Sequence, residues 1–219
     1  LSHASGRFGA TEPTRVTAAS ATILIDAGGW NLEASQPYLN VDTAGLAVDL
    51  GGVVLPGGVG ERITGFGDAT VKAGRTVYLD AVGVDLTASM FAKLPTGASH
   101  LSTGKADGGF DVELAYVAAA FSPYFSAGYR SYGDTVSLRL EDGWIASAGV
   151  TISVQRYVLI ASYERSQSPL GGPDPEELFA AASGPINNQW GWTAFASRGL
   201  SSGSADYLAG VALRRKVRW

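Results

Sequence analysis

Between Val84 and Leu94 the chain changes character at almost every step. Val84, Leu86, Ala88, Met90, Ala92 and Leu94 are apolar, Asp85, Thr87, Ser89 and Lys93 between them are polar, and Phe91 departs from the pattern. A period of two sends alternate side chains to opposite faces of an extended strand. The pattern returns further on. Phe110, Val112, Leu114 and Tyr116 alternate with Asp111 and Glu113. Trp144, Ala146, Ala148, Val150, Ile152 and Val154 alternate with Ser147, Gly149, Thr151 and Ser153. No window carries a helical stripe, so the chain reads as all-β.

The connections supply a second pattern, because tight and long ones alternate. Asp26 to Gly29, Asp80 to Gly83, Ser122-Pro123, Gln155-Arg156 and Gly184 to Gln189 read as tight or short connections. Between them lie long or moderate ones at 41–67, 95–109, 133–143, 167–177 and 200–205. Transmembrane barrels have short periplasmic turns and longer outer loops, and a soluble sandwich has no reason for such regularity. Full strands are expected to begin near Thr14, Trp30, Asp68, Gly83, Phe110, Pro123, Trp144, Arg156, Glu177, Trp190 and Asp206. Bacterial single-chain barrels have even strand numbers. Leu1 to Ser5 is therefore expected to be the tail of a truncated first strand, with Gly6 to Pro13 as the first outer loop. The expectation is one domain over 1–219, a transmembrane antiparallel up-and-down β-barrel of about 12 strands with both true termini on the periplasmic side.

Composition removes the competitors. Charged residues are only 16% of the chain, below the roughly 25% of ordinary soluble domains. β-Branched and aromatic residues are too many for disorder, and the absence of cysteine excludes a disulfide scaffold and cysteine zinc sites. The uncharged run Leu114 to Tyr129 is too short for a spanning helix and holds a Ser-Pro turn. The net charge of −4 gives no nucleic-acid footprint. The apolar face is rich in alanine and would fill a sandwich core poorly. Aromatics collect at strand ends, as in the two girdles of a membrane barrel: Trp30, Trp190, Trp192 and Trp219 on the short-turn side, Trp144, Tyr132 and Tyr163 on the long-loop side. Tyr207, Ala209, Val211, Leu213, Val217 and Trp219 share one face that only Arg215 breaks.

Several short motifs carry a family resemblance. Gly65-Phe-Gly-Asp-Ala-Thr-Val-Lys-Ala-Gly-Arg resembles a "GxGD" strand opening, and Lys93-Leu-Pro-Thr-Gly with Ser102-Thr-Gly-Lys-Ala-Asp resembles a "KLPTG…GTGxxD" hairpin loop. Ser5-Gly-Arg-Phe-Gly, Trp30 through Pro37-Tyr38, Gly128-Tyr-Arg-Ser-Tyr-Gly-Asp and Asp142-Gly-Trp fit the same set. Together they resemble the outer-membrane barrel proteins labelled for meta-pathway phenol degradation, across essentially the whole chain. Arg7 stands where that pattern usually has an acid. The resemblance implies a transporter-like outer-membrane barrel, often linked to small organic compounds.

If the apolar faces point to lipid, the charged positions line a lumen or its rims. By parity the wall residues are expected to be Lys72, Asp85, Lys93, Asp111, Glu113 and Arg130, with Phe91 and Tyr124 on the same inward face as stacking surfaces. Charge pairing across a narrow lumen is the competing use of those residues. The rims are expected to meet outer-membrane lipid and lipopolysaccharide. Arg165 and the run Arg214 to Arg218 are the candidates for phosphate contacts. Catalysis has little support. His100 lies beside Ser99 and Ser102, but no G-x-S-x-G elbow is present. Thr103-Gly-Lys lacks the spacing of a phosphate loop. Asp174, Glu176 and Glu177 read as solvated acids before they read as cation ligands. No cofactor, metal or nucleic acid is expected. The function expected is passive passage of small solutes, with aromatic or otherwise apolar organic compounds among the candidates. The alternative is a structural or adhesion-type barrel with a plugged lumen, acting through its outer loops or a protein partner. The segment 51–67 is expected at the mouth, either as a constriction or as a tip.

Overall fold

A computed structural model describes residues 1–8, 13–42, 48–49, 54–55, 62–118, 120–134 and 139–216. The strands are β1 (Ser2–Gly6), β2 (Thr14–Ala27), β3 (Trp30–Asp42), β4 (Val48–Asp49), β5 (Val54–Leu55), β6 (Arg62–Phe66), β7 (Ala69–Leu79) and β8 (Val84–Leu94). They continue as β9 (Asp107–Tyr116), β10 (Phe121–Ser131), β11 (Gly143–Val154), β12 (Tyr157–Ser166), β13 (Glu176–Pro185), β14 (Trp190–Gly199) and β15 (Tyr207–Arg215). Every pairing is antiparallel, and no helix occurs among the described residues. β1 pairs with both β15 and β2, which closes the sheet into a twelve-strand barrel; β6 is the extra strand. β4 and β5 form a separate small hairpin.

The strand starts fall close to those read from the sequence, and two details differ. β6 lies inside the segment read as a long loop. It pairs with Tyr38–Asp42 of β3, while β7 pairs with Trp30–Ser35, so the two form one interrupted strand broken at Gly67 and Asp68. Five residues with a glycine among them are too few to display a period. The second difference is the turn read at Ser122-Pro123. Pro123 lies within β10, opposite Val150 of β11, and pairing with β9 begins only at Tyr124. Proline lacks an N–H, and the strand end is where that donor is not needed.

The tight turns follow simple chemistry. Ala27 pairs with Trp30 across Gly28 and Gly29, which have φ of 56° and 82°. Two consecutive positive φ values make a two-residue turn whose twist matches the strands, and glycine adopts them without a steric penalty.

The register assigns the faces. Ser126 Oγ lies 2.8 Å from Ser147 Oγ, and Thr76 Oγ1 lies 2.9 Å from Thr87 Oγ1, so these residues share the inner face with their row partners. Their neighbours point out, and those are the apolar ones: Phe110 is 53% exposed, Phe125 54% and Leu213 71%. The molecule is thus inside-out, with large apolar side chains outside and hydroxyl and charged groups within. The buried apolar cluster lies inside the ring at the long-loop end. There Leu101, from the β8–β9 connection, packs on Val16, Leu39 and Val41, with Phe8 and Ile63 beside them.

Candidate functional site

The middle of the barrel holds a cavity of about 460 Å³ lined by Lys72, Asp111, Glu113, Arg130 and Glu164 together with Asn31, Thr76, Thr87, Ser89 and Ser126. Asp111 is its electrostatic hinge. Arg130 Nη2 lies 2.8 Å from Asp111 Oδ1, and Lys72 Nζ lies 3.7 Å from Oδ2. The Arg130 guanidinium also sits 5.4 Å from the centre of the Phe91 ring, a cation–π contact. Arg130 lies flat against the wall because Gly109 is beside it: a Cβ there would stand 2.9 Å from Arg130 Cδ. Tyr124 lies on Gly149 in the same way, with its Cζ 2.7 Å from where a Cβ would be. Large inward side chains therefore rest on glycines of the next strand, which keeps space open along the axis.

Of the positions read as lumen wall, Lys72, Asp85, Phe91, Asp111, Glu113, Tyr124 and Arg130 share the inward register. Lys93 shares it too, but it is fully buried and borders no open space. Its ammonium lies 3.0 Å from Asp68 Oδ2 and 2.9 Å from Asp107 Oδ2, and it donates to Thr103 Oγ1 at 3.0 Å. The Asp107 contact is ionic without hydrogen-bond alignment. The same two carboxylates also pin the outer connections. Asp68 Oδ1 accepts from the Gly97 N–H, Asp68 Oδ2 from the Ser102 hydroxyl, and Asp107 Oδ1 from the Gly133 N–H. Gly97 passes so close that a Cβ would stand 2.8 Å from the Gly67 carbonyl carbon. Alternation put Lys93 on the correct face; what it does not encode is that residues 95–106 fold back over that face. Asp68 and Asp107, the other two members, went unrecognised as buried partners.

No protein-family model matches this chain, and no curated protein matches it in sequence. Among solved structures it is similar to a crystal structure of an outer membrane channel from Pseudomonas putida F1. The TM-score is 0.70 at 13% identity, covering 97% of this chain and 91% of that one. The likeness is one of fold, over the whole barrel. The phenol-degradation label of the resembling family finds no support in these comparisons.

The rims carry aromatic residues with arginines upon them. Arg75 lies 4.9 Å over Trp30 and Arg215 5.8 Å over Trp190, both near the short turns; Arg165 lies 6.0 Å over Trp144 near the long loops. Trp219 lies outside the described residues. Arg165, a candidate for phosphate contacts, is paired with Asp174 at 3.2 Å and Glu176 at 3.4 Å. These groups are exposed and solvent-screened, so Arg165→Gln is expected to leave the urea unfolding midpoint almost unchanged. The same pairing divides the acid trio, because Asp174 and Glu176 turn to Arg165 while Glu177 takes the inward register beside Glu164. Among the described residues no three acidic or histidine side chains stand in metal-binding geometry. His100 and Ser102 are not brought together. His100 Nε2 faces the Thr64 carbonyl at 3.5 Å, and the Ser102 hydroxyl donates to Asp68. Most of 43–61 lies outside the described residues.

Proposed function

We propose that this chain is an outer-membrane channel for passive passage of small solutes. The observation that carries the reading is the pairing of an apolar, exposed exterior with a polar mid-barrel cavity of about 460 Å³. An apolar outer band suits lipid, since a closed barrel leaves no backbone polar group unpaired in hydrocarbon. A charged interior suits water and solutes. The fold of the Pseudomonas putida F1 channel supports the same reading. Lys72, Asp85, Asp111, Glu113 and Arg130 form the charged wall of the path. Phe91, Tyr124 and the inward stacked pair Phe179 and Phe195, 6.4 Å apart, add aromatic surface on which an organic ring would lie. The arginine–aromatic pairs of the rims face the headgroups of membrane lipid and lipopolysaccharide.

One observation favours the plugged-barrel reading. Leu101, packed on β2 and β3, and the Asp68–Lys93–Asp107 cluster at β7–β9 occupy the long-loop end of the lumen. Ion flow separates the two. The refolded barrel in a planar bilayer is expected to show steady single-channel conductance. Silence across repeated insertions would move the assignment to a closed barrel that acts through its loops.

A further inference from the structure

The register draws a continuous path through the lumen. Thr76 of β7 faces Thr87 of β8, which faces Glu113 of β9. Glu113 faces Ser126 of β10, and Ser126 faces Ser147 of β11. Ser147 faces Glu164 of β12, which faces Glu177 of β13. Every member has an oxygen-bearing side chain, and none is lysine or arginine. The row begins near the 80–83 turn and ends just after the long 167–175 connection, so it runs from the short-turn end to the long-loop end. Strand tilt explains this climb. With strands about 4.8 Å apart and tilted by about 40°, a row across these strands covers roughly 29 Å of arc and rises roughly 18 Å.

The lumen's cations stand off this row. Asp111 lies one inward row nearer the long-loop end, and Lys72 and Arg130 lie one row beyond it. Both cations lean on Asp111, at 3.7 and 2.8 Å. Arg130 is also held against Phe91 and two backbone carbonyls. Glu164 and Glu177 sit directly opposite one another, where like charges repel. Carboxylate oxygens on facing strands favour a passing cation over an anion. Hydroxyl pairs such as Ser126–Ser147 and Thr76–Thr87 present further oxygens between the acids.

We infer that this oxygen-lined spiral makes the barrel selective for cations over anions, with Glu113 and Glu177 as residues that set the selectivity. The inference rests on the channel reading above and deepens it. Asp111 has a positioning role here, holding Lys72 and Arg130 in ion pairs beside the row, so that their charge is offset within the same cavity.

The test is the reversal potential of single channels in a potassium chloride gradient. Wild type is expected to favour potassium. Glu113→Gln with Glu177→Gln is expected to lower the potassium-to-chloride permeability ratio at least about twofold, because rings of carboxylates are what favour cations in pores. Asp111→Asn is expected to lower it as well, by leaving the charges of Lys72 and Arg130 without their carboxylate partner. Arg75→Gln, on the outer surface, is expected to leave it unchanged. Heat-dependent electrophoretic mobility confirms that each variant is folded. A conducting wild type that favours chloride, or folded carboxamide variants with an unaltered ratio, would overturn the inference and leave the channel standing. A folded wild type that never conducts would overturn both.

Discussion

Replacing Lys93 by methionine is expected to destabilise the barrel by about 3–5 kcal/mol, the cost of breaking a buried ion pair from one side. Lys93 stands between Asp68 at 3.0 Å and Asp107 at 2.9 Å, and all three side chains are almost wholly buried. Without the ammonium, two carboxylates share a site with no cation beside them. The same carboxylates accept from the Gly97 and Gly133 N–H groups and the Ser102 hydroxyl. The connections over the mouth therefore loosen together. Urea unfolding in vesicles, followed by tryptophan fluorescence, measures the loss. Adding Asp68→Asn and Asp107→Asn to Lys93→Met removes the stranded charges and keeps most of the shape. That triple variant is expected to recover more than half of the loss, since a neutral replacement of a whole buried ion cluster is often close to neutral in stability. A Lys93→Met barrel within about 1 kcal/mol of wild type would remove the cluster from its structural role.

Lys93 also marks how far the sequence could be read. A period of two is a property of neighbours along one strand, so it fixes which face each residue takes. That is why Lys72, Asp111, Glu113 and Arg130 could be placed together from parity. The alternation of tight and long connections likewise reports strand order, because each hairpin joins adjacent strands. Burial inside the lumen is set differently, by segments far apart in sequence that fold onto one face. Leu101 meets Val16 and Val41 only when the β8–β9 connection turns inward. Asp68 sits at the break between β6 and β7, and Asp107 opens β9. Each lies in one of the motifs that carried the family resemblance, as does Lys93. The acid–lysine–acid set was thus visible as parts of two separate motifs, and only the pairing of β7, β8 and β9 makes them one cluster. Glu177 was missed for a related reason. Read beside Asp174 and Glu176 it looked like loop acid, whereas β13 begins at Glu176 and turns alternate residues inward from there. The oxygen row needed the register of seven strands, which no single window of sequence holds.

Phe125 and Ser126 are neighbours in the middle of β10, and an arginine at each is expected to give opposite results. Phe125 is 54% exposed on the apolar exterior. Phe125→Arg is expected to cost about 2–4 kcal/mol in a bilayer, the penalty for arginine on the lipid face near the midplane. Ser126 faces the lumen cavity, where Glu113 lies across the strand pair. An arginine there enters a wet, acidic space, so Ser126→Arg is expected to stay within about 1 kcal/mol of wild type. Unfolding free energies in vesicles of one lipid composition give both numbers. The comparison decides the solvent of the outer face. In water an exposed Phe125→Arg change would be neutral or favourable, because it removes an apolar ring from contact with solvent. A large loss at Phe125 with little at Ser126 therefore requires hydrocarbon outside and water within. Equal losses at both would mean that the inner face is packed shut. That outcome would favour the plugged barrel, because an arginine then has no open lumen to enter.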